Sequence, residues 1–384
     1  MVRIFCTAIL LLWSSSVLAA NAVSWPTEPE IHAKSWILLD ARSGQVLAQH
    51  AETMHLPPAS MTKMMTLYLA FEALKRGSIS MDQRANVSDK AWKIGGSTMF
   101  LEPRMHPQVR ELLHGIATLS GNDAAITMAE LISGNENDFA ALMNDKAAAL
   151  GMQHSHFDNA TGFPTENHYS SALDMAKLGV ALWRDFPDYY KIFSEKSYTY
   201  DGRTQWNRNR LLWTMPEATG LKTGHTEDAG FCMTGATERG YQRLVSVVFG
   251  ADSKKARLQE SERLLRYGLD RFITLTPSEK DIRRKIEVFE GKENSVGLKA
   301  AQDVWISVPK GSEKMLSFHL TYESPQLAPI QAGQQLGSIE AVLRSTDGDV
   351  QLKVIPMIAE SSVERASWLG RKYDTLRLWW QAQQ

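Results

Sequence analysis

Cysteine is almost absent from this chain of 384 residues, which holds only Cys6 and Cys232. Cys6 lies in an N-terminal apolar segment, so a mature chain that loses this segment keeps one thiol and can form no intramolecular disulfide. Cys232 stands among apolar and small residues, which favours a buried, unreactive thiol over a catalytic one. Surplus charge is also lacking, because 42 Lys and Arg residues face 43 Asp and Glu residues. This balance gives no reason to expect nucleic acid as a partner.

Metal-binding patterns and long apolar runs are scarce as well. No His-Glu-x-x-His occurs, which argues against a metallopeptidase, and His154 and His156 in "HSHF" fit a loop better than a zinc site. The one apolar run near the N-terminus, residues 4–13, is too short to span a bilayer. Because Arg3 precedes it and "SSSVLAA" follows it, residues 1–19 are predicted to be a signal peptide for export.

The remaining sequence predicts two folded domains and a terminal helix. With 43% hydrophobic and 22% charged residues the chain is typical of a globular protein. Residues 20–276 begin with a predicted hairpin in "KSWILLDARSGQVLAQHAE", continue with helical periodicity and return to strands, which indicates an α/β domain on an antiparallel sheet. Residues 277–360 show short alternating runs that predict a small all-β domain.

The tail, residues 361–384, is predicted to form an amphipathic helix. Its apolar positions recur at three- and four-residue spacing: Val363, Ala366, Leu369, Tyr373, Leu376 and Trp380. The segment has a net charge of +2, and aromatic residues near its end favour a membrane interface, so attachment to a membrane surface is one interpretation of this helix. The alternative is a helix docked on the protein's own β-domain.

The stretch "PPASMTKMMT" places Ser60 one helical turn ahead of Lys63. Prolines precede the predicted helix start, and side chains three residues apart on a helix are neighbours, so the amine can reach the hydroxyl. The motif alone is weak, because Ser307 and Lys310 have the same spacing. In that second copy Pro309 lies in a strand-like run, which excludes the helical geometry.

Two further short motifs follow in the chain. Ser-Gly-Asn occurs at Ser120–Asn122, before a predicted helix, and again at 133–135, where Gly134 is predicted to end a helix. We therefore assign the first copy to the functional site and the second copy to a purely structural role at a helix end. Lys222-Thr223-Gly224 lies in a strand-like segment, where a glycine permits close approach of a substrate and the lysine and threonine offer groups for a carboxylate.

The ordered set resembles the motifs of β-lactamases and penicillin-binding proteins. From about Ser35 to the C-terminus, the sequence resembles low-molecular-mass penicillin-binding proteins that act as serine-type D-alanyl-D-alanine carboxypeptidases. "LPPASMTKMMT", "LSGNDAA", "WNRNRLLW", "GLKTGHTEDAGF" and "SERLLRYG" carry the likeness. The resemblance implies a penicillin-binding/β-lactamase-like domain followed by the all-β domain, no cofactor and no metal. It also implies a periplasmic enzyme of peptidoglycan synthesis on the inner membrane.

The resemblance also implies roles for individual residues. Ser60 would attack the carbonyl between two D-alanines, Lys63 would be its base with a pKa lowered by burial and by a neighbouring cation such as Lys222, and the acyl-enzyme would be hydrolysed by water. Ser120 would pass a proton to the leaving amine and Asn122 would hold the substrate peptide. The backbone N–H groups of Ser60 and His225 would bind the oxyanion. The expected substrate-binding set is Lys222, Thr223, Gly224, His225, Arg208 and Arg257.

Three alternatives remain from the sequence. A class A β-lactamase needs a glutamate that activates the deacylating water, and that family's Glu-x-x-Leu-Asn is missing, since Glu166 is followed by "NHYSS". A DD-endopeptidase of the same family would use the same residues on a cross-linked peptide. A secreted protein that binds peptidoglycan without catalysis would leave Ser60 unmodified by β-lactams.

Overall fold

The computed structural model describes residues 24–346, 348–381 and 383, so the predicted signal peptide and Cys6 lie outside the described residues. A five-stranded antiparallel sheet forms the centre of the first domain, and the predicted hairpin supplies two of its strands. The strands in spatial order are Val46–His50, Ser35–Asp40, Gln242–Ala251, Gly230–Arg239 and Ala218–Thr226. We call Ala218–Thr226 the cleft strand.

Helices cover both faces of this sheet. On one face Ala172–Asp185 packs against Val245 and Leu221 at Gly179, and on the other Lys254–Arg271 packs against Leu244 at Gly268. Successive side chains of a strand point to opposite faces, so the strand Gln242–Ala251 is buried at every position between the two layers. This arrangement confirms the α/β domain on an antiparallel sheet that the sequence predicted.

A helical layer and a short hairpin complete the first domain. The other helices are Lys63–Lys75, Asp89–Lys93, Val109–His114, Asn122–Ser133, Glu136–Ala149, Pro187–Tyr190 and Leu211–Thr214, with 3₁₀ turns at Ala59–Thr62 and Lys191–Ser194, a π-helical segment at Gly115–Leu119, and hairpin strands Ser197–Tyr200 and Arg203–Trp206. The helix Lys63–Lys75 runs through the core. Leu67, Ala70 and Phe71, which recur at helical spacing, are fully buried, and Leu74, the next residue of this pattern, is half-buried.

The second domain is built on a six-stranded sheet. Its strands in spatial order are Leu316–Tyr322, Gln335–Leu343, Val350–Ala359, Ser295–Ala300, Arg284–Phe289 and Gln326–Leu327; the short helix Glu279–Ile282 and the 3₁₀ turn Glu313–Met315 accompany them. A further strand, Ile306–Pro309, pairs with Phe272–Leu275. The second Ser-x-x-Lys motif therefore lies in a strand, as its proline indicated. The boundary at residue 276 stays a prediction.

Side-chain hydrogen bonds tie the two domains together. The buried hydroxyl of Ser307 lies 2.9 Å from that of Ser43 and 3.3 Å from that of Thr274. Lys353 donates from its ammonium to the carbonyls of Ser43, at 2.8 Å, and Trp305, at 3.1 Å. Because buried polar groups are costly unless bonded, this network favours one relative orientation of the domains.

The terminal helix is shorter than the predicted segment 361–384. It comprises Trp368–Gln381, and Val363 instead pairs with Ile330 and is buried in the core of the β-domain. Val363 and Ala366 therefore do not belong to the helical stripe, because both lie before the helix and pair with the β-domain, Ala366 through its backbone N–H to Glu290 O. None of the helices in the described part of the chain is long and apolar enough to cross a membrane.

Cys232, the one cysteine among the described residues, lies inside the sheet on the strand Gly230–Arg239 and is fully buried. Burial raises the pKa of its thiol to about 11. The thiolate is the reactive form of cysteine, so this side chain is chemically inert at neutral pH, as the sequence predicted.

Candidate active site

Ser60 and Lys63 meet at the start of the buried helix, in a turn of residues 58–63 that we call the nucleophile turn. Lys63 Nζ lies 3.0 Å from Ser60 Oγ, 2.7 Å from Asn122 Oδ1 and 2.7 Å from the carbonyl oxygen of Thr161. The amide and carbonyl oxygens can only accept hydrogen bonds. When Lys63 is neutral, its two protons therefore stay on these acceptors and its lone pair faces the Ser60 hydroxyl.

The environment of Lys63 favours this neutral form. The side chain is fully buried, and burial together with the positive charge of Arg208 lowers the pKa of Lys63 from 10.5 to about 7, although Asp123 and Glu136 act in the opposite direction. The sequence had suggested Lys222 as the neighbouring cation. Burial, followed by the charges of Lys63, Arg208 and Arg257, lowers the pKa of Lys222 well below its usual value, so Lys63 and Lys222 each disfavour the charged form of the other.

The first Ser-Gly-Asn motif forms the wall of the site opposite the nucleophile turn. Ser120 ends the π-helical segment in a left-handed conformation, φ 63°, which a serine adopts only when its surroundings enforce it. Asn122 begins the next helix and donates from Nδ2 to the Gly95 carbonyl at 2.7 Å. Because its Oδ1 already accepts from Lys63, both ends of the Asn122 amide are engaged within the protein. Asn122 thus orients Lys63, and since these contacts use only one of its two Nδ2–H donors, its role in holding the substrate peptide stays a prediction.

The second Ser-Gly-Asn motif lies elsewhere, as predicted. Gly134 ends the helix Asn122–Ser133 with φ 83°, and the Ser133 hydroxyl donates back to Ala129 O at 2.8 Å. These contacts are those of a helix terminus.

The cleft strand brings Lys222, Thr223, Gly224 and His225 beside the nucleophile turn. Lys222 is buried and donates to Thr223 O at 3.2 Å, whereas Thr223, Gly224 and His225 line the cleft. A Cβ atom at Gly224 would lie 2.8 Å from the Pro58 carbonyl oxygen. Glycine is needed here so that the strand can pass the nucleophile turn, a reason distinct from the substrate access that the sequence suggested.

Two arginines complete the predicted set. Arg208 is exposed at the cleft and donates to the Ser97 hydroxyl, whereas Arg257 is buried, with Nη1 3.4 Å from Gly224 O. Burial lowers the pKa of Arg257 to about 10. Its Nε has no hydrogen-bond partner among the described residues. A buried guanidinium with a free donor is suited to a carboxylate.

Sequence reasoning missed a segment that completes the site, residues 158–168, which we call the cleft loop. It provides the Thr161 carbonyl to Lys63, and Asn159 Oδ1 shapes it by accepting from the backbone N–H groups of Thr161 at 3.1 Å and Gly162 at 2.8 Å. The preference of asparagine for such turns is a sequence signal that "NATGF" contained. Gly162, with φ 85°, lies against the nucleophile turn so closely that a Cβ would fall 1.8 Å from Ala59 O.

His168 ties the end of the cleft loop to the same turn. Its Nδ1 accepts from the backbone N–H of Asp158 at 3.0 Å, so its Nε2 carries the proton and donates to Thr62 Oγ1 at 2.8 Å. Burial lowers the pKa of His168 to about 4, so the ring is neutral near pH 7.

The assembled cleft has a volume of about 640 Å³. Six residues of the predicted set line the cleft: Ser60, Ser120, Thr223, His225, Arg208 and Arg257. Lys63, Asn122 and Lys222 are buried and lie behind it. No carboxylate belongs to the described lining, and Glu166 is an exposed residue outside it.

In this site a serine hydroxyl lies beside a buried lysine and faces a second serine and a Lys-Thr-Gly strand. This arrangement defines an enzyme of the penicillin-binding/β-lactamase-like class, which forms an acyl-enzyme on its own serine. Comparisons with known proteins narrow this class. Residues 21–253 match the family described as D-alanyl-D-alanine carboxypeptidase, and residues 273–365 match the C-terminal domain of penicillin-binding protein 5.

Individual relatives agree with the family matches. The D-alanyl-D-alanine carboxypeptidase DacA of Escherichia coli (strain K12) is 36% identical over 92% of this chain and 89% of its own length. Penicillin binding protein 5 from Haemophilus influenzae superposes with a TM-score of 0.84 at 34% identity, covering 88% of this chain and all of that one. Penicillin-Binding Protein D2 from Listeria monocytogenes in its ampicillin-bound form gives a TM-score of 0.59 at 28% identity, over 64% of this chain and 100% of that one.

The chain belongs to the D-alanyl-D-alanine carboxypeptidase family and is a low-molecular-mass penicillin-binding protein. As such it is a serine-type D-alanyl-D-alanine carboxypeptidase, a hydrolase of cell-wall biosynthesis.

Proposed function

We propose that Ser60 is the nucleophile through which this enzyme removes the terminal D-alanine from peptidoglycan pentapeptides and through which β-lactams acylate it. The 3.0 Å contact between Lys63 Nζ and Ser60 Oγ, with both other Lys63 contacts made to acceptors, carries this proposal. Neutral Lys63 takes the hydroxyl proton as Ser60 Oγ attacks the carbonyl between the two D-alanines.

The remaining residues stabilise the oxyanion that forms during the attack and protonate the leaving group. The backbone N–H groups of Ser60 and His225 bind the oxyanion, and the proton on Lys63 passes by way of Ser120 to the amine of the departing D-alanine. Water then hydrolyses the ester on Ser60. Asn122 keeps Lys63 aimed at Ser60. Thr223 lines the carboxylate side with Arg208 and Arg257, and the buried Lys222 adds its charge from behind the cleft.

The leaving residue ends in a carboxylate, which accounts for the cations in our assignment. Arg257 has a buried Nε–H without a partner among the described residues, and Arg208 also lines the cleft. A charge-assisted hydrogen bond to a carboxylate is roughly twice as strong as a neutral one. Gly224 and His225 then fix the strand against which the peptide lies.

Deacylation of β-lactams is expected to be slow, which separates this function from that of a β-lactamase. The two carboxylates whose charges act on the pKa of Lys63 are already engaged: Asp123 accepts from the backbone N–H groups of Met99 and Leu101, and Glu136 pairs with Lys90 at 2.7 Å. Neither is free to activate a water at the ester.

The test is D-alanine release from a pentapeptide together with peptide mass spectrometry after exposure to a penicillin. Wild-type protein should release D-alanine and carry the adduct on Ser60, and Ser60→Ala should do neither. Ser133→Ala, which changes the serine of the second Ser-Gly-Asn motif, should behave as wild type. D-alanine release by Ser60→Ala would contradict the assignment, and an unmodified wild-type Ser60 would indicate a binding protein without catalysis.

We also propose that the protein is exported by residues 1–19 and held on the inner membrane by the helix Trp368–Gln381, with residues 20–276 and 277–360 as separate domains. The polar side of the helix contacts the β-domain, because Asp374 accepts from Glu290 N and Arg377 pairs with Glu287. The apolar side is left in solvent, and its exposed residues are Trp368, Leu369, Tyr373, Leu376, Trp379 and Trp380. Such a face favours a membrane interface.

Flotation of the mature protein with anionic liposomes tests the attachment. Leu376→Glu should reduce binding, because it places a charge in the exposed apolar face, whereas Gln302→Glu adds the same charge on the β-domain and should bind as wild type. Deleting residues 362–384 would also remove the buried Val363, so point variants are the better probe. Equal flotation of Leu376→Glu and Gln302→Glu would argue against the anchor.

A further inference from the structure

Residues 206–210, which we call the arginine turn, present two arginines to the cleft. Asn207 and Asn209 point inward and are buried, whereas Arg208 and Arg210 alternate with them and are exposed. The backbone N–H of Asn207 donates to Lys196 O at 2.8 Å, and Asn207 Oδ1 accepts from the N–H of Asn209 at 2.9 Å. The inward asparagines thus fix the direction of both arginines.

The cleft carries more positive charge than one substrate carboxylate requires. Its described lining contains four cations, Arg208, Arg210, Lys254 and Arg257, and no Asp or Glu. In the part of the chain that the structure describes, none of the four has a salt-bridge partner. Uncompensated like charges in one cleft repel each other, so the arrangement favours a ligand with more than one negative charge.

The four cations fall into two groups. Lys254 and Arg257 are three residues apart on the helix Lys254–Arg271, so their side chains leave the same face of that helix. Arg208 and Arg210 come from the arginine turn. Arg208 and Arg257 account for the terminal carboxylate in the function proposed above, which leaves Arg210 as the cation of the arginine turn without an assigned partner.

Arg210 is held in place by an aromatic surface. Its guanidinium carbon lies 5.0 Å from the ring centroid of Trp213, and Lys196 Nζ lies 5.7 Å from the same ring. The ring of Trp206 is 6.5 Å from that of Trp213, and Trp206 is 61% exposed. A guanidinium stacked on an indole keeps its N–H edge free, so it can bind a carboxylate with less loss of side-chain freedom.

We propose that Arg210, assisted by Lys196 and supported by Trp206 and Trp213, forms a second anion subsite. It selects D-alanyl-D-alanine peptides that carry a further free carboxylate on the N-terminal side of the scissile bond. This inference rests on the proposed carboxypeptidase function and adds to it the class of substrate preferred. Arg210 contributes binding energy that is equal in the ground state and the transition state, so it acts on KM rather than on kcat.

Two matched pairs of acetylated peptides ending in D-Ala-D-Ala test the subsite. One pair has Glu or Gln immediately before D-Ala-D-Ala, and the other has Glu or Gln one residue earlier. D-alanine release is measured at low ionic strength with the mature protein and with Arg210→Ala, Lys254→Ala and Arg344→Ala. Arg344 is an exposed arginine of the β-domain and controls for the loss of one positive charge.

In at least one pair, wild type should show a kcat/KM roughly fivefold higher for the Glu peptide, the effect of one partly exposed charge pair. Arg210→Ala should reduce this ratio to about one through KM with kcat unchanged, and 0.5 M NaCl should reduce the wild-type ratio because salt screens exposed charges. Lys254→Ala and Arg344→Ala should keep the ratio.

Equal use of Glu and Gln peptides by wild type in both pairs would overturn the inference, and so would a ratio that survives Arg210→Ala. A ratio lost in Lys254→Ala and kept in Arg210→Ala would place the subsite at the helix instead and would also overturn it. Absence of D-alanine release from all four peptides would mean that the proposed function itself has failed, a result distinct from release without charge preference.

Discussion

Replacing Arg208 with glutamine should move the pH dependence of acylation to higher pH. The pKa of Lys63 is lowered to about 7 by burial and then by the charge of Arg208. Since the neutral amine is the base, acylation should rise with pH through about 7. Roughly 9% of Lys63 is neutral at pH 6 and roughly 91% at pH 8, so the rate constant should increase about tenfold between these values.

Arg208→Gln removes a like charge and therefore raises the pKa of Lys63. An upward shift of roughly half a unit to one unit is expected, because Arg208 is the lesser of the two causes and is exposed to solvent. At pH values well below the pKa of Lys63, such a shift slows acylation by about three- to tenfold. Above pH 9 the acylation rate constants of Arg208→Gln and wild type should converge.

Stopped-flow measurement of acylation by a chromogenic cephalosporin at saturation gives the rate constant without the binding contribution of Arg208. His225→Gln is the control: the His225 ring stacks on Phe231 at 4.0 Å, and no hydrogen bond joins it to Ser60 in the described structure, so its acid limb should match that of wild type. A rate independent of pH between 6 and 9 would refute the assignment of Lys63. Loss of the limb in His225→Gln would make histidine the base.

Three other changes have defined outcomes. Gly162→Ala should lower the free energy of unfolding by roughly 1–3 kcal/mol in urea denaturation, because the added Cβ overlaps the nucleophile turn. Gly151→Ala is the control: Gly151 also has a positive φ but open space around it, so the free energy of unfolding should fall by less. Asn159→Ala leaves backbone donors of the cleft loop unpaired and should slow acylation, and the exposed Asn167→Ala should not. Lys353→Met should destabilise the folded chain by roughly 1–2 kcal/mol while leaving β-lactam acylation intact, since the lysine bonds Ser43 across the domain interface and Trp305 within the β-domain, and neither contact is to a residue of the cleft.

The motifs were predictable because their chemistry is local in sequence. Ser60 and Lys63 are one helical turn apart, and the choice between two Ser-Gly-Asn copies followed from helix-start and helix-end signals that the structure confirms at Asn122 and Gly134. The hairpin and the buried helix were likewise evident from alternation and periodicity.

Contacts between segments distant in sequence were not predictable in this way. Thr161 acts through its backbone carbonyl, which every residue possesses, so its identity carried no signal. The effect of Arg208 on Lys63 depends on a fold that brings residues 145 positions apart together. Val363 matched the helical spacing of the tail by chance, and its burial in the β-domain decided its structure.

The single buried thiol of the described chain makes this protein convenient for spectroscopic labelling. Cys232 is shielded by the sheet, and its raised pKa keeps it protonated at the neutral pH used for maleimide coupling. A cysteine introduced at an exposed position would therefore be the one reactive sulfur in a mature chain without Cys6. Dyes placed on the cleft loop and on the β-domain, one variant at a time, could report loop motion and domain orientation without first removing a native cysteine.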